Sequence, residues 1–234
     1  MRPAVRVYSL LILAPLLLGA LIFAAALFSG VSVSDWSPAS IARFSALFPY
    51  VLGINHILLF ALTIVAMKAD RLSLSEIGWG RSAVGKPEIR LRVPIELLIG
   101  IGAGLVLVLM SRFLTGPLVL AAALSFADIG RLPIVFDNSP AWLGAVTFFA
   151  GVTHETLYRG YALRVLSERN GVVRAVIVSS IFFALFHWPQ GLLAVISIVP
   201  DGIFLCLLAL WRRNLWAPLA AHAGFNLASL QPVF

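Results

Sequence analysis

Apolar residues run along this chain in long unbroken stretches, not in the alternating or three-to-four-residue patterns of a water-facing fold. The first stretch extends from Tyr8 to Gly30, and predicted spans lie at 8–31, 44–67, 94–115, 140–163, 172–190, 191–211 and 215–231. A helix needs roughly 20 apolar residues to cross the hydrocarbon core of a bilayer. The pattern therefore predicts an all-α fold, a polytopic transmembrane helix bundle of about seven spans. The stretch from Pro117 to Phe126 is apolar but too short to cross. It reads as a re-entrant or interfacial segment and widens the count to six to eight.

Composition strengthens this picture. The 234 residues are 61% hydrophobic and 12% charged, where water-soluble domains sit nearer half apolar and a quarter charged. Arg2 and Arg6 ahead of the first run resemble the start of a secretory signal, but that run is longer than the apolar part of a typical signal, so it is read as a retained span. Cys206, the single cysteine, excludes an internal disulfide and a cysteine-based metal site.

The net charge of +7 reports topology, not nucleic-acid binding. Arg2, Arg6, Lys68, Arg71, Arg81, Lys86, Arg90, Arg92, Arg164, Arg169, Arg212 and Arg213 fall on one side of the bundle. Arg43, Arg112 and Arg131, interspersed with Asp35, Asp128 and Asp137, fall on the other. The bias of Lys and Arg to cytoplasmic loops gives a multi-pass protein of the cell's inner (cytoplasmic) membrane with its N-terminus in the cytoplasm. No internal repeat is apparent. Gly100, Gly102, Ala103 and Gly104 have no preceding strand to make a nucleotide loop of them, and read as a surface for close helix packing.

Ionisable groups inside spans are costly and mark candidate sites. They concentrate in the last four spans: His154, Glu155 and Arg159 in the fourth, His187 in the fifth, Asp201 in the sixth, His222 and Asn226 in the last. Glu155 and Arg159 are four apart on one helical face and suit an ion pair. His222 and Asn226 share the same spacing, so Asn226 either holds the His222 ring in one tautomer or donates with it to one developing negative charge. A lone histidine such as His56 reads as a packing or hydrogen-bonding residue. Polar groups on separate helices are satisfied most cheaply by meeting around one cavity.

These residues resemble the CAAX-protease and bacteriocin-processing (Abi) family of intramembrane endopeptidases. Its pattern is two adjacent glutamates with an arginine four after the second, then Phe-x-x-x-His, then His-x-x-x-Asn or Asp. Here Phe183 with His187 and His222 with Asn226 match, as do Arg159-Gly160-Tyr161 and the Leu215-Trp216-Ala217-Pro218 lead-in. The resemblance covers roughly 140–231, which divides the membrane domain into a catalytic core there and N-terminal helices with a basic loop over 1–139.

The resemblance implies a peptide hydrolase acting on a membrane-associated protein or peptide in contact with the lipid bilayer: a CAAX-type tail, a bacteriocin-like peptide or a C-terminal sorting segment. Small size and compact loops suit a prokaryotic member. In the family the first glutamate and first histidine are thought to activate a water, and the second histidine and asparagine to stabilise the oxyanion.

The first glutamate is replaced here by His154. His154 is read in three ways: as the general base, as one ligand of a divalent metal such as zinc held with His187 and His222, or as the mark of an inactive protein. The last gives the alternative function, a membrane scaffold or immunity protein binding a partner through the same cavity. Asp201, between Pro200 and Gly202, is either a local cap or partner for Arg174 or Arg159, or an additional carboxylate standing in for the missing glutamate. A transporter ranks below both, because no matching repeat carries polar groups in the other half. By naive counting His187 lies at the far end of its span from Glu155. The two meet only if the fifth helix begins around Asn170 to Arg174.

Overall fold

The computed structural model describes residues 2–31, 37–80, 93–117, 132 and 139–229. They form seven long helical stretches and, among the described residues, no strand. These are α1 (Pro3–Ser29), α2 (Pro38–Ala69), α3 (Val93–Thr115), α4 (140–170), α5 (Val172–Phe186), α6 (Leu192–Arg212) and α7 (Trp216–Ser229). Each predicted span falls on one of them. Residues 118–126 of the expected re-entrant segment and most of the basic loop lie outside the described residues. Among the described helices α1, α2, α3 and α6 are long and apolar enough to cross a membrane, and α5 is a shorter apolar helix.

Local chemistry sets the boundaries. Ser37 caps α2 by accepting from the Ser40 amide, with Pro38 at the first helical position. Ser139 does the same for α4 through the Trp142 amide, ahead of Pro140. Gly171 at φ 83° joins α4 to α5, and Gly191 at φ 99° opens α6. Asn214 begins α7 by accepting from the Trp216 and Ala217 amides at 2.9 and 3.2 Å.

One stripe of α1 faces inward through Val7, Leu11, Ala14 and Leu18, while Leu16, Phe23 and Phe28 on other faces are exposed. Outward apolar side chains suit lipid as solvent.

α4 lies at the centre and touches α2, α5, α6 and α7. Charged groups fasten the helix ends together. Arg6 of α1 pairs with Asp70 just beyond α2, and the Tyr161 hydroxyl of α4 donates to the same carboxylate. Arg164 donates to the Glu76 carbonyl at 2.7 Å, and Leu215 N–H to the Gly78 carbonyl at 3.0 Å. Glu96 at the start of α3 receives two bonds from Arg212 at the end of α6, at 3.0 and 2.6 Å. The N-terminal ends of α1, α3, α5 and α7 thus share one charged end with the C-terminal ends of α2, α4 and α6, so successive helices alternate in direction.

The small-residue cluster of α3 does what its composition suggested. A side-chain carbon on Gly100 would strike the Ala217 carbonyl and meet the Ala220 methyl, and one on Gly104 would lie 2.9 Å from the Ala221 carbonyl. These glycines let α3 lie backbone to backbone against α7 and fix where α7 presents His222.

Candidate active site

α4 is not a uniform helix. Residues Gly144–Phe149 and Glu155–Ala162 adopt the wider π-type turn, with α-helical turns between and after them. Such widening is rare and frequent at functional sites. Here it falls on the segment carrying Glu155 and Arg159, both buried.

The register obstacle is removed by the length of α4. It continues past the expected end at 163 to Asn170, and α5 starts at Val172, inside the required stretch. His154 stands 17 residues before Gly171 (171 − 154) and His187 stands 16 after it (187 − 171). An antiparallel hairpin about Gly171 therefore brings the two to one level, with ring centres 5.7 Å apart.

His222 joins them from α7. Its ring stacks on that of His154 at 5.5 Å and 17°, and its Nδ1 lies 2.8 Å from Glu155 Oε1. The same oxygen accepts from Arg159 at 3.2 Å. A carboxylate oxygen shared by an arginine only accepts, so Nδ1 of His222 carries a proton and Nε2 is its remaining nitrogen. Arg159 also donates to the Gly202 carbonyl at 3.4 Å and rests on the Phe183 ring, 4.0 Å from its centre.

Phe183 contributes backbone as well as ring. Its carbonyl accepts from His187 Nδ1 at 2.9 Å, which leaves Nε2 of a neutral His187 as a lone-pair acceptor. The Phe-x-x-x-His spacing is thus a tautomer lock across one helical turn.

The four histidines of the chain are His56, His154, His187 and His222, and the His154 ring contacts the other three. His56 stands 4.9 Å from it, edge to face. Read from sequence as a packing residue, His56 is brought by α2 into the site, where the Thr153 hydroxyl donates to its backbone carbonyl at 3.1 Å. Both nitrogens of His154, Nδ1 of His56, Oε2 of Glu155 and Oδ1 of Asp201 are buried without a hydrogen-bond partner among the described residues.

Asp201 makes no ion pair among the described residues, with Arg174 or Arg159; the charge that acts on it is that of Arg159. Asn226 lies one turn beyond His222 on α7. No group of three or more His, Cys, Asp or Glu side chains among the described residues is arranged to hold a metal ion.

A cavity of about 490 Å³ opens at the charged end and reaches Arg159, between Gly160 and Leu163 of α4, Ala209 of α6 and Leu215.

Residues 136–228 match the family model described as type II CAAX prenyl endopeptidase Rce1-like. That region is similar to the Rce1-like family. It covers about two-fifths of the chain and carries each candidate residue read from sequence, whereas His56 lies outside it. The Rce1-like match agrees with the resemblance drawn from the motifs and supports protease activity as the general class of function. No curated protein and no solved structure matches the chain.

Proposed function

We propose that the chain is an intramembrane endopeptidase that hydrolyses a membrane-associated protein or peptide by attack of an activated water. The observation that carries this reading is the convergence of His154, His187 and His222 from three helices beside the buried Glu155–Arg159 pair. A structural ion pair alone requires none of these rings.

In this reading His187, locked by the Phe183 carbonyl, takes a proton from water on Nε2 while the water oxygen attacks the peptide carbonyl carbon. His222 and Asn226 face the oxyanion that forms. With Nδ1 held on the Glu155 carboxylate, the His222 ring turns only Nε2 toward that oxyanion. As the intermediate collapses the C–N bond breaks and the proton on His187 passes to the leaving nitrogen, giving an acid and an amine. Arg159 and Glu155 hold the His222 ring. Asp201, set beside Arg159, is assigned no proton-transfer role.

The cavity reaching Arg159 from the charged end favours a cut near that surface, in a segment such as a CAAX-type tail, a bacteriocin-like peptide or a sorting helix. The surplus of Lys and Arg makes that surface the cytoplasmic one. Comparing the termini of membrane and exported proteins between cells expressing the wild type and His187→Ala, matched for abundance, tests the proposal. Ends found only with the wild type support it, and identical termini move the function to a binding or immunity role.

A further inference from the structure

Among the described residues, the buried polar atoms without a hydrogen-bond partner include a group at the site. Three of them, Nδ1 of His56 and both nitrogens of His154, belong to two rings in edge-to-face contact. A neutral imidazole offers one donor and one acceptor, and leaving either unpaired in a buried place forfeits the hydrogen bond it made with water. His56 is 1% exposed, so bulk solvent does not meet this need.

The two rings are positioned to share a partner. A ring nitrogen lies roughly 1 Å from the ring centre and makes hydrogen bonds of about 2.9 Å, so one water can bridge rings with centres up to about 8 Å apart. The observed separation is 4.9 Å. Phe186 packs on the far flank of both, 5.4 Å from His56 and 4.6 Å from His154, and offers no polar alternative. The hydrogen bond from Thr153 to the His56 carbonyl sets α2 against α4 at this level.

We propose that His56 is a catalytic residue which, with His154, binds the water that attacks the substrate. One ring donates N–H to the water oxygen and the other accepts an O–H, so the pair orients the second lone pair of the oxygen toward the scissile carbonyl. His187, 5.7 Å from His154, then takes the remaining proton. The inference rests on the protease reading for its chemistry, while the water site itself does not. It accounts for a histidine at 154, because a single imidazole has one acceptor where a carboxylate has several, and a second ring restores the missing hydrogen bond.

Two measurements separate these parts. All four histidines of the chain are at the site, so nuclear magnetic resonance of protein labelled with 15N-histidine reports only site rings. Water-to-ring transfer is expected at His56 and His154, with the His154 signal lost in His56→Phe. Its absence at both rings in the wild type overturns the water site whether or not the chain is a protease.

Cleavage is the second readout, scored on the wild-type-specific termini in variants matched for abundance and thermal stability. His56→Phe, which suits packing beside Phe186, is expected to lose about 10²-fold or more, the scale of general acid–base effects. His56→Gln, which keeps a donor and an acceptor, is expected to stay within about tenfold of wild type. Wild-type cleavage in His56→Phe, or equal losses in both variants, overturns the catalytic role. No cleavage by the wild type itself counts against the protease reading and leaves the resonance result to decide the water site.

Discussion

His222 Nδ1 and Arg159 converge on the same oxygen of Glu155, at 2.8 and 3.2 Å. One carboxylate oxygen thus joins α7 to α4 and sets the hydrogen position on the His222 ring. The other oxygen of Glu155 has no hydrogen-bond partner among the described residues. Glu155 is therefore both a structural counter-ion and an orienting group, and the two roles can be separated.

Replacing Glu155 with Ala strands the Arg159 charge among apolar side chains. Breaking a buried pair in this way costs about 3–5 kcal/mol. Thermal unfolding in detergent should show a large loss for Glu155→Ala, mostly recovered in the Glu155→Ala/Arg159→Met double variant. Cleavage should remain absent in both. Activity returning with stability would reduce the pair to a scaffold.

His187→Ala should lower cleavage by about 10²-fold or more with little change in folding, because its ring is assigned the proton transfer. Asp201→Asn should retain cleavage within about tenfold, since an amide keeps the shape of a group assigned no proton transfer. Terminus mapping on the two variants side by side checks this. Equal losses would restore Asp201 as the missing carboxylate.

The glycines of α3 differ sharply. Gly104→Val would drive side-chain carbons into the Ala221 backbone, whereas Gly102 has nothing within 4 Å of the position its side chain would take. Overpacking of this kind costs about 1–3 kcal/mol. Gly104→Val should lower both thermal stability and cleavage, because α7 moves with His222, while Gly102→Ala should leave both near wild type.

Outside the membrane, Ser73 and Glu76 form a reciprocal cap: the Glu76 carboxylate accepts from the Ser73 hydroxyl and amide at 2.7 and 2.8 Å. The Ser73 side chain, then its amide, hold the Glu76 carboxyl below its ordinary range. A depressed folded value means the cap is intact above the ordinary carboxylate range and is lost as pH falls through the lowered one. Ser73→Ala should raise the Glu76 midpoint in a resonance titration, and an unchanged midpoint would discount the hydroxyl.

Apolar runs alone placed all seven helices, because a span is legible wherever the solvent is lipid. They misjudged the end of α4: residues 164–170 carry Arg164, Ser167, Glu168, Arg169 and Asn170, yet the helix continues there on the buried Val165 and Leu166, with Arg164 and Glu168 paired 3.4 Å apart. That hidden extension is what made Glu155 and His187 look distant. The spacing also identified the Glu155–Arg159 pair and the single face shared by His222 and Asn226.

It could not show that Glu155 reaches His222, since a contact 67 residues apart in sequence leaves no local signature. Glu96 with Arg212 escaped for the same reason. His56 was hidden differently. A single histidine in an apolar run looks the same whether it packs or reacts, and only the approach of α2 to α4 distinguishes the two.

The backbone contact of α3 with α7 bears on how the protein is made. Helices enter the membrane in chain order during synthesis, and α7 follows the six described helices before it. Until α7 docks on the glycines of α3, the nascent chain has no His222 beside Glu155, and the proposed site is incomplete. In the protease reading proposed above, the partly made molecule is thus inert toward the other polypeptides passing through the insertion machinery, and hydrolytic competence arrives with the last of the seven described helices.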